Sequence, residues 1–194
     1  MQVEGDEHIV VGGDGAVAAH AQQQVHAELP PLQTVHILVD NLAVGAVRVG
    51  GAVDKERGVV EGVDNHVGAL SNVSALLHSE FQHYFWCGFY IVKGDVLELG
   101  PFQGDVACYT IKKGRGVCGK AWEEEQTIIV PNVLQFPGHI ACSSKSRSEI
   151  VVPVFKGGNV IAVIDVDSKG YSAFDDIDKV GLEQIAKIIS PLFD

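Results

Sequence analysis

All eight Phe, four Tyr and two Trp of this 194-residue chain lie at or after Phe81. Aromatic side chains bring the largest apolar surfaces to a core, so the first 80 residues have little with which to close one. Residues 1–68 are Val, Gly, Ala and His instead, with three Lys/Arg against ten Asp/Glu, a formal −7 of the chain's −11. Valines are scattered among glycines, as in the run from Ala43 to Gly51, with no helical period and only short alternation. Three readings fit the segment. It is a disordered or weakly stranded extension, a short β-rich subdomain around Thr34–Asn41 and Val44–Val53, or not natural coding sequence, through a misplaced start or wrong reading frame. Amino-acid usage changes abruptly near Leu70. The organisation expected is an atypical extension over 1–68 and one domain over 69–194.

From Ser71 onward the signals sharpen. Ser71–Gln82 places Val73, Leu76, Leu77 and Phe81 on one helical face. Tyr84–Val92 and Val96–Leu99 read as strands joined by a tight turn at Lys93-Gly94-Asp95. Gly116–Glu125 predicts a short helix, Thr127–Val130 a strand halted by Pro131, and Ile150–Phe155 with Asn159–Asp167 a second hairpin. A last helix runs from an Asp175 N-cap to Ser190, with Ile177, Val180, Ile185, Ile188 and Ile189 as its buried stripe. Hairpins flanked by helices predict an α+β fold, an antiparallel sheet with helical cover. Strand alternation sets Trp86, Gly88 and Tyr90 on one face of the first strand and Cys87 and Phe89 on the other. On the last strand it sets Asp165 and Asp167 on one face with Ile161 and Val163.

The acidic balance, with no basic run longer than Lys112-Lys113, argues against a nucleic-acid partner. No apolar run approaches the roughly 20 residues that span a bilayer, and the acidic N-terminus lacks a signal-peptide pattern. A cytoplasmic location is expected, where cysteines more often serve redox, catalytic or metal chemistry than structural disulfides. Cys108, Cys118 and Cys142 lie near Glu149, Asp165 and Asp167 in sequence. Thiols beside carboxylates suit a reaction needing a sulfur nucleophile and a proton donor together. Cys87 reads as a packed core thiol. Zinc held by Cys108, Cys118, Cys142 and His139 lacks any C-x-x-C pair, and the five histidines of 1–68 pair at no ligand spacing, so no metal or other cofactor is expected. Gly114-Arg115-Gly116-Val117-Cys118-Gly119 satisfies G-x-G-x-x-G without a βαβ unit around it. Its glycines instead let the backbone turn into a helix whose N-terminus can meet an anion.

Six segments occur in order: Trp86-Cys87-Gly88-Phe89-Tyr90, Leu99-Gly100-Pro101-Phe102-Gln103-Gly104, the Gly114–Gly119 run, Pro137-Gly138-His139-Ile140-Ala141-Cys142, Ser148-Glu149-Ile150-Val151-Val152-Pro153 and Ile164-Asp165-Val166-Asp167-Ser168. Together, from about Leu70 to Ile189, they closely resemble the free methionine-(R)-sulfoxide reductases, enzymes built on a GAF domain. The resemblance implies that Cys142 is the catalytic cysteine, Cys108 the resolving cysteine and Cys118 a third redox cysteine. It implies that Glu149, Asp165 and Asp167 contact the substrate and that Trp86 and Tyr90 form the apolar wall. The family's N-terminal helical region packs on its domain, and residues 1–68 do not look like it.

The implied reaction reduces free L-methionine-(R)-S-oxide to methionine. A thiolate attacks sulfur while an acid protonates the departing oxygen. Crowded carboxylates raise one another's pKa, so that a neutral acid persists, and they hold the ammonium of a free amino acid. A cysteine sulfenic acid then condenses with a second thiol to a disulfide, which thioredoxin reduces by exchange. Negative carboxylates beside Cys142 oppose its ionisation; substrate ammonium, His139 and Arg147 are the candidate offsets. The rival reading is a GAF module that binds a small molecule or senses redox state without turnover. A monomer or homodimer is expected.

Overall fold

Six strands form one antiparallel sheet in the order β3-β2-β1-β6-β5-β4. The structure, a computed structural model, describes residues 44–193, with side chains from Gly51 on. The elements run α1 (Val44–Val60), α2 (His66–Glu80), β1 (Trp86–Lys93), β2 (Val96–Gln103), β3 (Thr110–Lys112), α3 (Gly116–Glu124), β4 (Ile128–Val130), β5 (Ser148–Lys156), β6 (Asn159–Ser168) and α4 (Asp176–Ile189). Both expected hairpins are present, β1–β2 turning at Gly94 and β5–β6 at Gly157 and Gly158, all three with positive φ. The α+β architecture agrees with the sequence-based expectation. No helix among the described residues is long and apolar enough to cross a membrane.

The alternation read from sequence sorts the two faces except at Ile161, which packs on the helix-covered face and not with Val163, because the β5–β6 register shifts by one residue there. Cys87, Phe89, Ile150, Val152, Ile164 and Val166 pack under α1, α2 and α4, against residues such as Ala52, Leu70, Val73, Leu77, Leu182 and Ile185. Trp86, Tyr90, Val151 and Val163 face the other way, toward Val117, Ala121 and Trp122 of α3. The central strands are therefore buried on both faces. The Asp175 N-cap forms a capping box with Asp178. The stripe of α4 differs from the expected one: Ile177 and Val180 are exposed, while Gly181, Leu182, Ile185, Ala186 and Ile189 are buried. Spacings of three and four hold the buried set on one side; Val180 falls off it, and Ile177, though four residues before Gly181, lies in the exposed first turn.

Helix α1 is the larger departure. Val44–Val53 is helical rather than stranded, and Thr34–Asn41, with His8, His20, His26 and His36, lies outside the described residues. Among the described side chains of α1, Ala52, Val53, Glu56 and Val60 are buried, a helical stripe. One of its positions is a carboxylate, so the hydrophobic pattern is hidden in sequence. Lys55 Nζ meets Glu80 Oε1 at 2.7 Å, tying α1 to α2. A helix thus packs on the domain where composition suggested none.

Glu56 is fully buried, and neither carboxylate oxygen has a hydrogen-bond partner. Burial, and then repulsion from Glu80, push its pKa up from 4.5 to about 9. The folded chain therefore keeps a proton that the unfolded chain releases. Stability falls as pH rises from about 4.5 to about 9 and is insensitive to this group above that window. Replacing Glu56 with Met, an apolar side chain of similar length, is expected to raise the melting temperature by more at pH 8 than at pH 5. A gain that does not change between those two pH values would rule out a buried titrating carboxyl.

Candidate active site

Strand β6 lies between β1 and β5, and its register assembles the acidic set. Asp167 sits opposite Trp86 on one side and Glu149 on the other, while Asp165 sits opposite Gly88 and Val151. Register partners in an antiparallel sheet share a face, so Glu149, Asp165, Asp167, Trp86 and Tyr90 all project toward α3. Glu149 and Asp165 are each 6% exposed, so this end of the strand does not emerge into water. Burial raises the pKa of Glu149 and Asp165 well above the usual carboxylate range, and mutual repulsion adds to it. Asp167 is pushed up to about 6 by burial, against the Ser146 hydroxyl that favours its anion. Crowding alone was the sequence-based argument; removal from water is the larger cause.

Two loops close over this floor. Cys108, in the β2–β3 loop, and Cys142, in the β4–β5 connection, form a disulfide with Cα atoms 5.3 Å apart. Lys145 Nζ meets Asp105 Oδ2 at 2.6 Å and bridges the same two loops. The indole Nε1 of Trp86 donates to the Asp105 carbonyl at 3.0 Å, and the Tyr90 hydroxyl donates to the Cys108 carbonyl at 3.1 Å. Gly104 permits the close approach: its φ is +124°, and a Cβ there would meet the Phe85 carbonyl at 2.7 Å and Trp86 Cδ1 at 2.8 Å. Beneath the disulfide lie two small hollows. One, of about 30 Å³, is lined by Cys118, His139, Cys142, Glu149, Asp165 and Asp167 among others. The second, of about 20 Å³, shares Cys142, Asp165 and Asp167 and reaches Trp86 and Tyr90. Each has room for a water or two, not for an amino acid.

The remaining thiols differ in kind. Cys118, in the first turn of α3, has its Sγ 3.9 Å from Glu149 Oε1 and is fully buried. Burial, Asp165 and Glu149 together hold it protonated. Its sulfur, Glu149 and Asp165 each present one ligand atom within 4.8 Å of the others, the one such grouping among the described residues. Cys87 is buried on the opposite face, donates to the Ser74 carbonyl at 3.2 Å, and is pushed up to about 12 by burial. The core-thiol reading of Cys87 agrees with that placement.

The first turn of α3 borders the larger hollow through Gly116, Val117 and Cys118, and its N-cap residue Arg115 makes no side-chain capping bond. Gly119 fixes that turn against β3, since a Cβ would lie 2.3 Å from the Lys112 carbonyl. His139 Nδ1 stands 4.0 Å from Glu149 Oε2, with its pKa lowered by burial, so the imidazole is neutral. Arg147 does not offset the carboxylates: it donates to the carbonyls of Ser144 and Ser146 and pins its own loop. Sequence reasoning passed over Ser146, the hydroxyl donor to Asp167. The run of serines from Ser143 to Ser148 was the available signal.

Comparison with known proteins adds three findings. A family described as the GAF domain matches residues 68–194. Over 133 residues the chain is 53% identical to GAF domain-containing protein A of Dictyostelium discoideum, covering 68% of this chain and 84% of that protein. Over 141 residues it is 44% identical to the free methionine-R-sulfoxide reductase of Saccharomyces cerevisiae, covering 69% and 78%. The crystal structure of free methionine-R-sulfoxide reductase from Neisseria meningitidis in complex with its substrate superposes with a TM-score of 0.76 at 42% identity, covering 81% of this chain and 93% of that one.

The cysteine arrangement has a direct chemical readout. Denatured without reductant, the chain is expected to show two titratable thiols, Cys87 and Cys118, and four after reduction. Four thiols in the unreduced, air-exposed protein would exclude the disulfide.

Proposed function

The chain belongs to the free methionine-R-sulfoxide reductases, a family of GAF-domain proteins, and from that premise we propose that it reduces free L-methionine-(R)-sulfoxide by thiol chemistry at the Cys142 hollow. The observation that carries this reading is the Cys108–Cys142 disulfide opening onto the pocket of Glu149, Asp165 and Asp167. A redox pair on mobile-length loops is thereby set above a rigid bed of proton donors. In the reduced enzyme the Cys142 thiolate attacks the sulfoxide sulfur, and a buried carboxylic acid of the trio protonates the oxygen. The sulfur–oxygen bond breaks, methionine leaves, and Cys142 carries the oxygen as sulfenic acid. The Cys108 thiol displaces it as water and forms the disulfide.

Substrate recognition follows from the same floor. Carboxylates receive the ammonium of a free amino acid, which a methionine within a polypeptide lacks. The uncapped first turn of α3 receives its carboxylate, and Trp86 with Tyr90 encloses the S-methyl group. In the disulfide form those two aromatic residues instead hold the Cys108 loop by hydrogen bonds, and the hollows are too small for substrate. Reduction releases the loop and opens the pocket. Cys108 and Cys142 are only half-buried, beside the exposed Val106 and Tyr109, which gives a protein dithiol of the thioredoxin kind access for exchange. Cys118, held protonated, is the slower thiol and serves as the alternative partner for Cys142. Such a cycle runs in a reducing compartment such as the cytoplasm.

The test is NADPH oxidation through thioredoxin reductase and thioredoxin, with the R and S sulfoxides of free methionine supplied separately. The R epimer is expected to turn over at least about a hundredfold faster. Cys142→Ser is expected to abolish turnover, and Cys108→Ser to give about one methionine per chain with thioredoxin and then stall. Equal rates for the two epimers would count against R-specific reduction, and no turnover by a correctly folded protein would favour a non-catalytic sensing module. Sustained turnover by the Cys108 variant would remove Cys108 from the resolving role.

A further inference from the structure

Cys118, Glu149 and Asp165 come from α3, β5 and β6, and their ligand atoms lie within 4.8 Å of one another, all three residues buried. Two further observations point to a cation there. Asp165 is 6% exposed, lines the hollow, and its Oδ1 has no hydrogen-bond partner. Across the same hollow, the buried Nδ1 of His139 is also without a hydrogen bond, 4.0 Å from Glu149 Oε2. The hollow, at about 30 Å³, holds one ion or one water. We propose that Cys118, Glu149 and Asp165 bind a single divalent cation of the zinc class, with His139 as the further donor.

One thiolate sulfur, carboxylate oxygens and an imidazole nitrogen form a zinc-type donor set; calcium and magnesium take oxygen alone. Tetrahedral zinc needs its donors roughly 3.3–3.8 Å apart. Cys118 Sγ and Glu149 Oε1 are 3.9 Å apart already, and the three ligand atoms, all within 4.8 Å of one another, need to close by up to about 1.5 Å, with His139 swinging in from outside that grouping. Binding is exchange without redox change: the Cys118 S–H bond breaks, a sulfur–metal bond forms, and the thiol proton, with any proton held by the two carboxyls, passes to water. Affinity therefore rises with pH. No C-x-x-C spacing announces the site because its donors converge from three elements. The ion would occupy the floor that substrate needs, so ion and methionine sulfoxide exclude each other; that last consequence rests on the function proposed above, whereas binding does not.

The experiment uses the full chain with the Cys108–Cys142 disulfide intact, which removes those two sulfurs as ligands. Cobalt(II) is titrated in, then displaced with zinc. One cobalt per chain with a thiolate-to-metal charge-transfer absorption is expected, along with proton release that diminishes as pH is raised. Cys118→Ser should abolish the absorption, and Cys118→Ser and Asp165→Asn should each weaken zinc at least about tenfold, with circular dichroism confirming the fold of each. Cys87→Ser should leave binding unchanged. Histidines elsewhere in the chain give no thiolate band. Absence of the band in the unmodified protein, or its survival in Cys118→Ser, would overturn the proposal.

Discussion

Three carboxylates removed from water on one face of a sheet cannot all ionise, and this constraint organises the rest of the site. Glu149, Asp165 and Asp167 are cross-strand neighbours on β5 and β6, and the helices packed on the opposite face keep those strands rigid and dry. A carboxyl group on a loop would move into water and recover its ordinary pKa. Here the backbone ladder on both sides of β6 forbids that movement. The protein therefore holds protons at fixed positions in a pocket where no flexible acid could keep them.

Against that rigid floor the thiols are distributed by mobility. Cys87 is sealed in the far core, where its proton is retained and no partner is in reach. Cys118 is on a helix, anchored between Glu149 and Asp165. Cys108 and Cys142 stand on loops, joined to each other and covered by little. Disulfide exchange requires sulfur atoms to approach, separate and meet a third sulfur in line. Loop placement allows that movement in Cys108 and Cys142, whereas Cys118 on its helix must wait for a loop sulfur to come to it. Trp86 and Tyr90 hold the Cys108 loop through one hydrogen bond each, and in the cycle proposed above breaking those two bonds would free it.

How much of this was legible in sequence depends on how local the signal is. Alternation along β1 and β6 correctly sorted Trp86 and Tyr90 from Cys87, and set Asp165 with Asp167, because side-chain direction in a strand follows from parity alone. That Glu149 joins them depends on register across β5–β6: the pairing set at the Gly157-Gly158 turn shifts by one residue at Val154/Phe155, and only that shift brings Glu149 opposite Asp167. Helix α1 was not legible, since its glycines and β-branched residues disfavour helix locally and its buried stripe is interrupted by Glu56. Packing against α2 and α4 supplies what propensity lacks. On α4, five apolar residues were visible; spacing separates Val180 from Ile185 and Ile189, but not Ile177, which is exposed because it lies in the first turn of the helix. Arg147 looked like a counter-charge because it adjoins Glu149 by two positions; its guanidinium turned instead to loop carbonyls, which offer fixed acceptors nearby.

The same burial removes a difficulty that the sequence raises. Anionic carboxylates around a nucleophilic thiol would hold it protonated, and neither Arg147 nor the neutral His139 relieves that field. Burial keeps Glu149 and Asp165 protonated instead, so those two repel an incipient thiolate weakly and donate protons readily, while Asp167, raised only to about 6, is the anionic member. In the reduction proposed above, one desolvation effect would thus serve both demands, since the acid must be protonated and the nucleophile must not be. Cys118 shows the other side of the balance. It is buried as deeply as the carboxyls and hydrogen-bonded to one of them, and its proton stays on sulfur. Cys142, on a half-exposed loop, escapes the desolvation that Cys118 suffers. The division of labour between two cysteines facing one pocket therefore follows from how much water each retains.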